Sequence, residues 1–95
     1  MDFRFLDSSK EEVGIINNDQ IHDAKKRPDL SRDEEIFTIL MPYTDKNWLK
    51  VRNAVHFHVV ENPEFLIKIR MISIQHDSLL ITGYIKNEEV IEWMR

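Results

Sequence analysis

The sequence predicts an α+β domain: a mainly antiparallel sheet of about five strands, a helix at the C-terminus, and room for a short helix near the N-terminus. Three observations carry this expectation. Apolar and polar residues alternate with period two over 48–60 and again through "FLIKIRMISIQ" (65–75), as half-buried strands do. The chain ends in "KNEEVIEWMR", with Asn87 as an N-cap, Glu88 and Glu89 in the first turn, and Val90, Ile91 and Met94 forming an apolar stripe flanked by Trp93. Only two glycines in 95 residues favour an open or half-open sheet with a helix laid on it over a closed barrel with tight corners.

In chain order, "DFRFLD" alternates, with Phe3 and Phe5 on one side and Arg4 and Leu6 on the other, and predicts a short strand. Gly14 and the Asn17-Asn18-Asp19 cluster interrupt the next segment, and a short helix over 18–26 would turn Ile21 and Ala24 inward. Residues 27–34 are polar and hold a proline, which predicts a loop. "EIFTILM" (35–41), closed by Pro42, is apolar and β-branched and predicts a buried strand. "PYTDKN" is a turn cluster. Over 48–60 the strand pattern places Leu49, Val51, Val55, Phe57 and Val59 on one face, with Asn53 as a flaw suited to a bulge. A helix over 45–55 is the rival, since Trp48, Val51, Arg52 and Val55 also fit helical spacing. "ENPE" and "HDS" are turns that bracket strand 65–75, and "LLITGYI" (79–85) returns beside it.

Matching the apolar faces sets an expected register. Phe57 pairs with Ile69 and Val59 with Ile67, which puts His58 opposite Lys68 and His56 opposite Arg70. In the following hairpin Met71 pairs with Gly83, Arg70 with Tyr84 and Lys68 with Lys86. The outward face then gathers Lys50, Arg52, His56, His58, Lys68, Arg70, Tyr84 and Lys86, a cationic surface on a chain of net charge −4. Its far end is apolar, with Ile72 and Ile74 across from Thr82 and Leu80. It needs a cover from the terminal helix or a second copy, and strand 65–75 should be central or paired in a dimer.

Composition narrows the function. One domain spans 1–95. With no cysteine, disulfide scaffolds, thiolate metal sites and thiol catalysis are excluded. No stretch approaches ~18 consecutive apolar residues, and the N-terminus lacks a signal-peptide pattern, so a cytoplasmic protein with no membrane partner is expected. Gly14 and Gly83 are too far apart for a phosphate loop, no nucleophile context occurs, and the adjacent acidic pairs suit caps and solvated charges, so no enzyme is expected. The run Lys25-Lys26-Arg27 is flanked by Asp23 and Asp29 and suits a solvated loop.

The expected function is that of a small soluble binding or regulatory protein, an adaptor or inhibitor. Lys50, Arg52, His56, His58, Lys68, Arg70 and Tyr84 would dock on a larger protein or other anionic macromolecule, with homodimerisation as an option. Two alternatives use the same surface. Single-stranded nucleic acid or RNA would follow the cations and stack on aromatic rings. A metal could sit on His56 and His58, spaced H-x-H-x-x-E with Glu61 and with His76 as a further ligand. Over six residues this stretch resembles the H-x-H part of cupin-type sites, without the glycines that flank it there. Lys68 and Arg70 beside it would repel a cation, so no cofactor is expected.

Overall fold

The computed structural model describes residues 1–86. Those residues form one antiparallel sheet of seven strands and one short helix. The strands are β1 (Phe3–Leu6), β2 (Glu12–Ile16), β3 (Asp23–Asp29), β4 (Glu34–Pro42), β5 (His56–Val59), β6 (Ile67–Gln75) and β7 (Ser78–Lys86), and the helix α1 is Asp45–Val51. Their order across the sheet is β2-β1-β5-β6-β7-β4-β3. The mainly antiparallel sheet is as expected, but the described residues hold seven strands where about five were predicted and a single short helix, so the fold they form is mainly β rather than α+β. The predicted C-terminal helix, from its N-cap Asn87 onward, lies outside the described residues, and Lys86 before it belongs to β7.

The two extra strands are β2, in the stretch before the Asn17-Asn18-Asp19 cluster, and β3, in the segment read as helix and loop. Residues 18–26 do not form a helix. Asn18–Gln20 make a single 3-10 turn, with Gln20 Oε1 accepting from the Asn17 amide at 2.9 Å. The chain then runs straight into β3, which pairs residue for residue with β4 from Asp23↔Leu40 to Asp29↔Glu34. β3 is an edge strand, almost wholly exposed, so no apolar alternation marks it. Its Pro28 is tolerated because an edge strand has one side without ladder bonds.

The third correction concerns 48–60. The helical rival holds for its first part, and strand begins only at His56. Thr44 caps α1: its Oγ1 accepts from the Asn47 amide at 3.0 Å, and Asp45 adds a negative charge at the dipole's positive end. Seven residues would not hold a helix in water. Tertiary contacts do so here. Val51 is fully buried, Asn47 Nδ2 donates to the Pro42 carbonyl at 3.0 Å, and Lys50 Nζ donates to the Ile15 carbonyl of β2 at 3.0 Å. Gly14 makes the close approach possible, because a Cβ there would lie 2.6 Å from Lys50 Cβ.

The core lies on the sheet's inner face. Phe3 and Phe5 of β1, Ile16 of β2, Ile39 and Met41 of β4, Phe57 of β5, Ile67 of β6, and Leu79 and Ile81 of β7 are all buried and in mutual contact, with Val51 from α1. Phe57 is central, its ring 5.9 Å from Phe3 edge-on and 5.5 Å from Phe5.

The observed register is offset by two residues from the expected one. His56, not His58, opposes Lys68, and Phe57 opposes Ile67. Lys68 opposes Tyr84, and Ile69 opposes Gly83. A bulge at Arg70 then shifts β6 against β7, so that Met71 meets Thr82 and Ile72 meets Ile81. The bulge reverses the alternation. Ile72 joins the inner face beside the core, and Met71 is turned out, half exposed. The outward apolar end expected from Ile72, Ile74 and Leu80 is therefore not built; β6 lies inside the strand order, but β5 pairs only with its Ile67 and Lys68, so Met71–Gln75 is laddered on the β7 side alone.

Candidate functional site

The strand pairings lay one row of side chains across the sheet's outer face: Leu6, His56, Lys68, Tyr84, Ile36 and Arg27, contributed in turn by β1, β5, β6, β7, β4 and β3. Arg70 enters from the bulge. Its guanidinium lies 4.1 Å from the centre of the Tyr84 ring and its Nη2 donates to both carboxylate oxygens of Glu34 at 3.0 Å. Lys86 approaches the same carboxylate, Nζ to Oε2 at 3.0 Å, and lies 5.9 Å from the Tyr84 ring centre. Glu34 is 1% exposed, while its two cationic partners remain accessible.

Burial alone would raise the Glu34 pKa. The hydrogen bonds and charges of Lys86 and Arg70 outweigh it, and the carboxyl is held below its ordinary value. Glu34 is therefore an anion that fixes two cations and, through them, the tyrosine between them. The patch has four cations, Arg27, Lys68, Arg70 and Lys86, against two carboxylates, Glu34 and, across from it on β3, Asp29. At its corner Asp29 is already occupied by the Ser31 hydroxyl at 2.7 Å, a bond that lowers the Asp29 pKa.

Of the predicted site residues, the structure brings together His56, Lys68, Arg70 and Tyr84. His58 is on the same face but 3% exposed, its Nδ1 2.8 Å from the Val59 carbonyl. Lys50 and Arg52 are not on this face at all. They belong to α1 and its C-cap, and Lys50 is spent on β2. Glu34 was missed because the pair Glu34-Glu35 reads as solvated charge. Its signal was parity: it shares the outer phase of Ile36, at the start of a strand.

His56 Nδ1 is buried and has no hydrogen-bond partner. Burial, helped by the nearby charges of Lys10 and Lys68, lowers its pKa. The folded protein thus prefers the neutral ring. The unfolded chain takes up the proton first as pH falls, so stability is complete above the unfolded value of about 6.5 and declines as pH drops through the lower folded value. Thermal midpoints should fall between about pH 7.5 and pH 5.5, and His56→Gln should flatten that decline. An unchanged slope in the variant would show that His56 is not the titrating group.

Among the described residues no three His, Asp or Glu side chains are grouped to hold a metal ion, and no helix is long and apolar enough to cross a membrane. No family model, curated protein or solved structure matches the chain.

Proposed function

We propose that this protein is a small non-catalytic binding protein, an adaptor or inhibitor, that docks the outer face of β5, β6 and β7 on an acidic protein surface. The observation that carries this reading is the Arg70–Tyr84–Lys86 arrangement on buried Glu34, with Lys68 directly across from Tyr84. A binding surface gains when its long cationic side chains are already ordered, because less rotamer entropy is lost on contact. Arg and Tyr are also the residue types that dominate interface energetics.

The position of Arg70 favours a carboxylate-bearing partner over single-stranded nucleic acid. Its guanidinium already covers one face of the Tyr84 ring at 4.1 Å, which leaves less of the ring for a base to stack on. The metal alternative draws little from the geometry, because His58 is buried against its own backbone and His56 faces Lys68.

Fluorescence anisotropy with labelled polyglutamate and oligothymidylate, at low and moderate salt, tests the reading. Lys68 is exposed and pairs with no carboxylate among the described residues, so Lys68→Glu should preserve the fold. Reversing one exposed charge should weaken polyglutamate binding by about tenfold at low salt, since removing such a charge is worth up to ~1 kcal/mol and reversal adds repulsion. Tighter binding of the oligonucleotide, or polyglutamate affinity that Lys68→Glu leaves unchanged, would overturn it.

A further inference from the structure

On the opposite side of the sheet lies a cavity of about 460 Å³. Its wall is built by Phe3, Phe37, Phe57, Val59, Ile67 and Ile85, from strands at both ends of the curled sheet. The β5–β6 connection reaches it with Asn62. This volume falls within the ~300–1,000 Å³ usual for small-molecule sites, and an apolar wall with few polar groups at its rim is their usual composition.

The rim on β3 carries the polar information. Lys26 pairs in register with Phe37, and both line the cavity, so Lys26 belongs to its inner side. Lys25, one residue earlier, is held by Asp23 at 3.4 Å. Lys26 has no ion-pair partner among the described residues. Glu35 also lines the cavity, so the rim carries two lysines and one carboxylate.

We infer that this cavity is a binding site for a small amphipathic anion, a medium-length alkyl chain ending in a carboxylate, with the chain among the phenylalanines and the head group on Lys26. An alkyl chain suits the site because the wall offers apolar contact and few hydrogen-bond partners. A carboxylate suits it because Lys26, which lines the cavity, supplies a cation with no ion-pair partner among the described residues. The site is separate from the outer-face surface, and neither depends on the other.

Calorimetric titration of the full chain with octanoate, decanoate and dodecanoate, each below its micelle concentration, tests this, with decanol as the uncharged control. Affinity should rise by up to about fourfold per added CH2 while the chain is still being buried, and level off once the cavity is full. Decanoate should bind several-fold tighter than decanol, and Lys26→Glu, an exposed edge substitution, should abolish or invert that preference. Val59→Trp, which fills the cavity, should remove binding. Because that variant carries a risk to folding, its thermal melt is recorded alongside, and Lys26→Glu decides the matter if Val59→Trp unfolds. Lys68→Glu should leave decanoate affinity untouched. Absence of binding, equal affinity for decanoate and decanol, or a head-group preference unchanged in Lys26→Glu would overturn the proposal.

Discussion

Replacing Phe57 with alanine is expected to destabilise the fold by about 3–5 kcal/mol, the largest single effect in this chain. The ring is fully buried, lies near two other phenylalanines, and reaches over β6 to the side-chain position of Gly83 on β7. Removing it forfeits the transfer energy of a large side chain and leaves a void between sheet halves that β-strands cannot close without breaking ladder bonds. A domain of this size has a total stability of only ~5–15 kcal/mol, so the variant should unfold in mild denaturant and lose more than about 12 °C in thermal midpoint. A loss below about 1.5 kcal/mol would show that Phe57 is not packed as described.

Gly83→Ala should be the second most damaging change, and the reason is spatial. A Cβ at that position would lie 2.8 Å from Ile67 Cγ2, 2.9 Å from Phe57 Cε1 and 3.0 Å from the Lys68 carbonyl oxygen. Two of these are core side chains and the third is backbone of the adjoining strand. Overpacking of this kind costs about 1–3 kcal/mol. Because the clash is partly with Phe57, the pair should not be additive. Phe57→Leu in the Gly83→Ala background should recover part of the loss, a coupling of about 0.5–3 kcal/mol in a denaturation double-mutant cycle. Strict additivity would mean that the strain falls on Ile67 and the Lys68 carbonyl instead.

The sequence carried the face of each strand more reliably than its neighbours. His56, Lys68, Arg70 and Tyr84 were placed on one surface although both expected registers were off by two residues. An offset of two preserves alternation, so the grouping survives while every opposed pair changes. Between β6 and β7 one residue of the offset comes from the bulge at Arg70, which a hydrophobic pattern cannot reveal because "IKIRMISI" alternates smoothly through it. That also explains why Ile72 was assigned to the wrong side.

The two missed strands and the misplaced helix fail for different reasons. β3, "DAKKRPD", is an edge strand with both faces wet, so burial leaves no imprint on its composition. β2 is short, contains Gly14 and packs against a helix whose existence had first to be known. For α1 the signals were present: Thr44, Asp45 and the spacing of Trp48, Val51 and Arg52. The longer period-two run overruled them because it crossed Asn53 as a single flaw, when Asn53 lies in the true join between helix and strand. The cavity was not legible at all. It depends on the curl that brings β3 and β4 towards β5 and β6, a property of the whole sheet.

The two margins of the sheet have a consequence for assembly. An open antiparallel sheet offers free peptide groups at each end of its strand order, the usual template for lateral growth into fibres. On β3 that margin holds three adjacent cations and a proline with no N–H to give. On β2 the Ile15 carbonyl is taken by Lys50 from α1. Neither margin readily accepts another strand. The opening left among the described residues lies inside the sheet: β5 pairs with β6 only at Ile67 and Lys68, so Met71–Gln75 is laddered on the β7 side alone, and a strand from another copy would add there rather than at either margin.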